Sequence, residues 1–168
     1  MIAPSDMTIR LAERGADEHR VWDILRPTVE AGDTFCADPD GGIDSGLAYF
    51  WPPNADVRLA LDADGAALGC YYLKPNQSGG GAHVCNAGYC TAAAARGRGV
   101  ARAMLAHSLE TARAAGFRAM QYNFVVATNT RAIAIWQNAA FEIVGRLPGA
   151  FHHPAHGDVD ALVMYRAL

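Results

Sequence analysis

The stretch AAAARGRGVARAM, residues 92–104, sets Arg96, Arg98 and Arg102 close together with Gly97 and Gly99 between them. Like charges repel, and a glycine inside a helix costs about 1 kcal/mol relative to alanine. A bound polyanion would offset both penalties. An apolar segment ends near Thr91 and an amphipathic one starts near Val100, so the stretch reads as a loop running into a helix. A helix start carries unpaired N–H groups and roughly half a positive charge. Glycines let an anion approach those groups with no Cβ in the way, and arginines add charge-assisted bonds to phosphate oxygens. The alternative is a surface loop with its arginines in water; the strand–loop–helix context and three basic residues favour the anion site. No Gly-Lys-Ser/Thr follows, and the stretch does not sit at the first strand of a repeated βαβ unit. A Walker loop and a dinucleotide fold are therefore disfavoured.

The elements that must hold this loop follow from periodicity. TIRLA alternates as a strand, and Val21, Ile24, Leu25 and Val29 recur at helical spacing with Pro27 expected to bend or split that helix. Residues 32–54 are rich in Gly, Asp and Pro and read as an irregular binding loop in which DSGLAYFW offers one or two helical turns. Its aromatic group LAYFWPP serves either as a lid over a small substrate or as packing for the loop. Two apolar runs flank Asp64-Gly65 as a hairpin, and HVCNAGYCT is a further strand. Val100, Met104, Leu105, Leu109 and Ala112 form one stripe of a helix closed by Gly116. AMQYNFVV is a buried strand, and NTRAIAIWQNAA a helix with Ala132, Ile135, Trp136 and Ala139 inward. FEIVGRL and VDALVMYRAL are strands around a loop containing HHPAHGD. The order predicts a mixed α/β protein with helices on both faces of one sheet.

With 168 residues, 51% hydrophobic and 18% charged, the chain reads as one globular domain over residues 1–168. A net charge of −3 argues against a nucleic-acid partner and leaves the arginines as a small basic island. The opening residues MIAPSDMTIR lack the pattern of an export signal, and no apolar run is long enough to span a membrane. The four cysteines, Cys36, Cys70, Cys85 and Cys90, have no metal-finger spacing and are expected as buried thiols of a cytoplasmic protein, with a reactive Cys90 as the alternative. His152, His153, His156 and Asp158 have a metal-site composition, but Pro154 breaks any regular spacing, so no metal is expected. A homodimer is possible.

Arg96 to Ala101, RGRGVA, resembles the Arg/Gln-x-x-Gly-x-Gly/Ala signature of the GNAT acyltransferase superfamily. About thirty residues on, NTRAIAIWQNAAF resembles its second motif, Asn-x-x-Ala, an aromatic, three residues, Gly and Phe. The resemblance implies the GNAT fold, with a central mixed sheet of about seven strands, and acetyl-CoA as cosubstrate. Backbone groups of Cys90 and Thr91 would run beside the pantetheine arm. The N–H groups of Arg96, Gly97, Arg98, Gly99, Val100 and Ala101 would hold the pyrophosphate, and Asn129 would bond to the coenzyme arm. Trp136 stands in the cofactor site where many relatives carry a tyrosine that protonates the leaving thiolate. An indole N–H cannot act as an acid. Tyr89 or a water would replace it, or the thiolate would leave unprotonated, its pKa of roughly 8.5 permitting that.

The strand before the loop also lacks the glutamate that many relatives use as a base. It carries Asn86, and the neighbouring strand carries Asn123 followed by Phe124. Both asparagines interrupt apolar strands, where an unpaired amide costs roughly 1–3 kcal/mol. Either each amide bonds to backbone to hold a bulge, or the pair binds a small zwitterion. CNAGY, YNFVV and the tail from Val144 look most like the branch containing the yeast enzyme that N-acetylates azetidine-2-carboxylate and related proline analogues. That resemblance implies substrate contacts at Asn86 and Asn123, with Phe124 beside them, and N–H groups of Gly88 to Cys90 polarising the thioester carbonyl. Deprotonating an ammonium costs about 1.4 kcal/mol per unit of pKa above ambient, or about 5 kcal/mol for a lysine side chain and nearer 1 for a peptide α-amine. With no carboxylate base, the expected acceptor is a small amino or imino acid and not a protein lysine. A non-catalytic coenzyme-binding module and an enzyme acting on a peptide N-terminus are the alternatives.

Overall fold

The computed structural model describes residues 7–168, so the export-signal expectation for the first six residues lies outside the described residues. Thr8–Leu11 forms β1 and Glu18–Ala31 forms α1, its Val21, Ile24, Leu25 and Val29 all buried. The helix runs unbroken through Pro27, so the expected split does not occur. Pro27 and Asp23 are both exposed, so water can serve the carbonyl that lacks its N–H partner.

Residues 32–54 are less irregular than expected, because Gly42–Phe50 forms a second helix, α2. Gly46 permits it: a Cβ there would stand 2.2 Å from the Trp22 ring of α1, so only glycine lets the two helices pack. The aromatic group divides, Phe50 and Trp51 entering the core while Tyr49 stays exposed.

Asp56–Leu61 (β2) and Ala67–Pro75 (β3) form the hairpin, with Gly65 at φ 81°. Val84–Thr91 is β4, Val100–Ala114 is α3, Ala119–Val126 is β5 and Thr130–Asn138 is α4. Gly116, at φ 84°, closes α3. Its N–H donates to Arg113 O (2.9 Å), and that of Phe117 to Ala112 O (3.0 Å), a Schellman pair. Glu142–His153 (β6) and Gly157–Ala167 (β7) complete one seven-stranded sheet in the order β1-β2-β3-β4-β5-β7-β6. Most of HHPAHGD is hairpin and not loop: His152 pairs with Asp158 across it, and their side chains meet at 2.8 Å. Among the described residues no group of side chains has the makings of a metal site, and no helix is long and apolar enough to cross a membrane.

Two cores flank the sheet. Helices α1 and α2 pack with Val57, Leu59, Cys70 and Cys90 on one face. On the other, α3 and Trp136 of α4 pack with Tyr71, Met120, Tyr122 and Phe141. Cys70, Cys85 and Cys90 are buried as expected; Cys36 is exposed, because it falls in the segment between α1 and α2 and not in a strand.

Candidate active site

All strand pairs but one are antiparallel. The exception is β4 with β5, joined only through Val84–Ala119, Cys85–Met120 and Asn86–Gln121. Beyond Asn86 the two strands part. A bulge between Tyr122 and Val125 turns β5 away as it follows β7. Asn86 fastens the last joined position: its Nδ2 donates to Gln121 O (2.9 Å), and its Oδ1 accepts from the Tyr72 hydroxyl (2.9 Å).

The register of β4 decides what faces the gap. Its pairing with β3 is framed by bonds from Ala92 N to Leu68 O (2.9 Å) and from Asn76 N to Val84 O (2.8 Å). Backbone groups in a strand turn alternately to its two sides. Even-numbered residues of β4 therefore bond to β3, and odd-numbered ones face β5. The Cys90 carbonyl accordingly crowds Gly69 of β3, where a Cβ would stand 2.8 Å from it. Past Asn86, the backbone of Tyr89 and Thr91 opens into the gap, while that of Gly88 and Cys90 is committed to Tyr72 and Cys70. Alternation thus turns the backbone of Thr91, and not that of Cys90, toward the gap where a pantetheine arm is expected. Of the Gly88 to Cys90 amides, only that of Tyr89 is presented. The Cys90 thiol lies on the α1 side, donating to Ile24 O (3.4 Å), and burial pushes its pKa up, against a reactive role.

Between β4 and α3 the chain makes a 3-10 turn at Ala93–Ala95 and then the Arg-Gly loop. Gly97 (φ 80°) and Gly99 (φ 89°) both have left-handed backbones, and a Cβ on either would meet nothing within 4 Å. Both glycines border open space. Gly99 is the residue before α3, and the N–H groups of Gly97, Gly99, Val100 and Ala101 have no protein acceptor among the described residues. Those of Arg96 and Arg98 make only long turn bonds, 3.4 and 3.3 Å. Arg96, Arg98 and Arg102 are exposed and without ion pairs among the described residues.

The gap continues into a cavity of about 490 Å³. Asn86 and Asn123 both line it, together with Phe124 on β5, Tyr72 and Lys74 on β3, and Tyr49 on α2. The structure thus brings the two asparagines together on one face of the sheet. Asn86 is 5% exposed with both amide atoms bonded. Asn123 is exposed and held by polar side chains, accepting from Gln121 Nε2 (2.8 Å) and donating to Asn76 Oδ1 (2.7 Å). Among the described residues no Asp, Glu or His lines the cavity.

Trp136, Tyr89 and Asn129 stand at its α4 end. Asn129 caps α4, its Oδ1 accepting from Ala132 N (3.2 Å), which leaves Nδ2 for other partners. Trp136 is buried against the rings of Tyr89 (4.9 Å) and Tyr122 (5.1 Å). The Tyr89 hydroxyl contacts Ser108 Oγ (2.7 Å) and Tyr122 OH (3.2 Å), and burial raises its pKa far above that of an ordinary phenol. A phenol so shifted is a hydrogen-bond donor and a poor acid at neutral pH. The glycine position of the second motif holds Ala140, the one non-glycine residue with positive φ (60°) among the described residues. Tyr72, Lys74 and Tyr122 escaped the sequence reading. Their sole signal was a cation and aromatics interrupting apolar strands.

Known proteins share this fold. The model of the acetyltransferase (GNAT) family matches residues 19–141. N-acetyltransferase aca1 of Schizosaccharomyces pombe is 33% identical over 113 residues, 66% of this chain and 54% of that protein; the chain thus spans about half the length of this curated relative. A GCN5-related N-acetyltransferase from Kribbella flavida superposes with a TM-score of 0.90 at 41% identity, over 99% of this chain and 100% of that one. The fold also matches a GNAT superfamily phosphinothricin acetyltransferase from Sinorhizobium meliloti in complex with acetyl-CoA, with a TM-score of 0.81 at 23% identity over 97% of this chain and 89% of that one. Parted strands, a glycine loop with free amides and this agreement place the chain in the acetyltransferase (GNAT) family.

Proposed function

We propose that the protein moves the acetyl group of acetyl-CoA directly to the amine of a small amino or imino acid. The residues present suit the coenzyme. A diphosphate can reach the amides of Gly97, Gly99, Val100 and Ala101 with no Cβ in the way, beside three arginines that have no ion pair among the described residues. Thr91 would bond the pantetheine arm as an added strand does, and the Asn129 amide would bond it from the other side. When bound, the coenzyme supplies an activated acetyl thioester.

The chain's own groups then orient and polarise. The Tyr89 N–H, facing the gap, donates to the thioester carbonyl as charge develops there. The acceptor amine, held across the cavity by Asn123 with Asn86 behind it, attacks in its neutral form. The bond from carbon to sulfur breaks, the thiolate leaves, and the amine's proton passes to water. Trp136 closes the α4 end without exchanging a proton.

The observation that carries the acceptor class is the Asn123 amide, with Asn86 behind it, in a small cavity lined by no carboxylate among the described residues. Amides bond an amine and a carboxylate without neutralising either. The test is a thiol-release assay with acetyl-CoA against proline, azetidine-2-carboxylate and pipecolate, beside short peptides with free N-termini and N-α-blocked lysine. The expected result is the highest kcat/KM for the imino acids. Preference for peptides would replace the acceptor, and coenzyme binding without turnover of any amine would make this a binding module.

A further inference from the structure

Lys74 is paired with Asn86 in the register of β3 and β4, so the two side chains leave the same face of the sheet. Its Nζ stands 5.6 Å from the ring centroid of Tyr72, whose hydroxyl holds Asn86. Lys74 lines the cavity, is half-buried, and has no ion pair among the described residues. Among the described residues it is the one ionised side chain in that wall. A lysine that only needed solvation would gain nothing by facing a cavity floored with tyrosines and amides. A cation half-withdrawn from water is stabilised by an anion brought to it.

We infer that Lys74 binds the carboxylate of the acceptor, making the enzyme selective for amines that carry an α-carboxylate. This assignment rests on the amino or imino acid reading above. It explains how one site handles both ends of a zwitterion: Lys74 takes the negative end and the Asn123 amide oxygen the positive one. A fixed cation near the acceptor also disfavours its ammonium form, which assists deprotonation where no carboxylate base is present.

The experiment compares kcat/KM for L-proline and L-azetidine-2-carboxylate with that for their carboxamides, in the wild type and in Lys74→Met and Lys74→Arg. A carboxamide lacks the anion and has a less basic amine, so its neutral fraction at pH 7 is larger. An acid preference in the wild type therefore runs against intrinsic reactivity. The expected result is a clear preference for the acid, reduced about tenfold or more in Lys74→Met, the scale of a charge-assisted hydrogen bond, and largely kept in Lys74→Arg. The ratio of the two substrates within each variant cancels any change in active fraction, comparing that ratio between variants cancels the difference in amine basicity, and thermal melting checks the fold. Wild-type turnover of the carboxamide as good as that of the acid would overturn the assignment without any variant. So would an equal preference in wild type and Lys74→Met while imino acids remain substrates. If instead no amino or imino acid is turned over and another amine is, the acceptor reading fails and Lys74 falls with it.

Discussion

The cleft has two ends of different construction. At the α3 end the groups that would hold a diphosphate are backbone amides, freed by Gly97 and Gly99 and by the start of a helix. At the α2 end the wall is made of side chains, Tyr72, Lys74, Asn86 and Asn123, brought from three strands. A backbone cradle depends on conformation and tolerates exchange of most neighbouring side chains. A side-chain wall depends on identities and tolerates almost none. The difference predicts that damage to one end leaves the other end's affinity intact.

Gly99→Glu is the strongest test. The new carboxylate would point into the space open to the diphosphate, and its charge opposes both the ligand and the helix dipole. Affinity for acetyl-CoA should fall about 100-fold or more, as read by titration calorimetry. Gly99→Ala isolates the strain of a Cβ at φ 89°, about 1 kcal/mol of stability, and should cost far less affinity. Equal losses in the two variants would assign the effect to strain and remove the diphosphate site.

This contrast also governs what could be read from the sequence. The donor end was legible because its requirements are local: two glycines, clustered arginines and the beginning of an amphipathic helix lie within a dozen residues. The stripe of α3, its Gly116 closure and the Asp64-Gly65 hairpin were legible for the same reason. The acceptor end is assembled across the sheet. Asn86 and Asn123 stood out because amides are costly in apolar strands. Nothing local told that Lys74 would lie opposite Asn86, or that Asn86 would spend both amide atoms on Tyr72 and Gln121. The α2 helix is less legible because it packs on α1 where Gly46 makes room for Trp22, a contact between segments more than twenty residues apart. Which of Cys90 and Thr91 turns its backbone to the gap is likewise not local, because strand register is set by the partner strand.

The two asparagines sharpen the comparison within the acceptor end. Asn86→Ala removes both hydrogen bonds of a buried knot and leaves the Tyr72 hydroxyl without its partner, so stability should drop by about 1–3 kcal/mol in chemical denaturation. Asn123→Ala removes an exposed amide. It should leave the melting temperature nearly unchanged and raise KM for the amine about tenfold, while KM for acetyl-CoA holds. An unaltered amine KM would return Asn123 to a purely structural role in the side-chain chain running from Gln121 to Asn76.

Tyr89 belongs to both ends, its amide to the gap and its phenol to the core. Tyr89→Phe keeps the amide and the ring against Trp136 while deleting the contacts to Ser108 and Tyr122. The expected fall in kcat is about tenfold or less. General-acid catalysis is worth about 10²–10⁴-fold, so a fall of that size would restore the phenol as the proton donor.

The smallest effect is expected at Ala140, where backbone conformation and residue type disagree. Its φ of 60° places Cβ close to the following carbonyl, a conformation that costs an L-residue about 1 kcal/mol and glycine almost nothing. The turn is held regardless: Ala140 N bonds to Gln137 O (2.9 Å) and Phe141 N to Trp136 O (3.0 Å), and Phe141 stacks on Tyr122 at 4.4 Å. Glycine also widens the unfolded ensemble, which takes back part of the relief. Ala140→Gly should therefore stabilise the protein by only about 0.5 kcal/mol, raising the melting temperature by a degree or two. Because the strain lies behind Trp136 and away from both ends of the cleft, kinetic constants for both substrates should stay put. A change in the coenzyme constant would instead show that the strained turn sets the position of Trp136 and, through it, the end of the donor site.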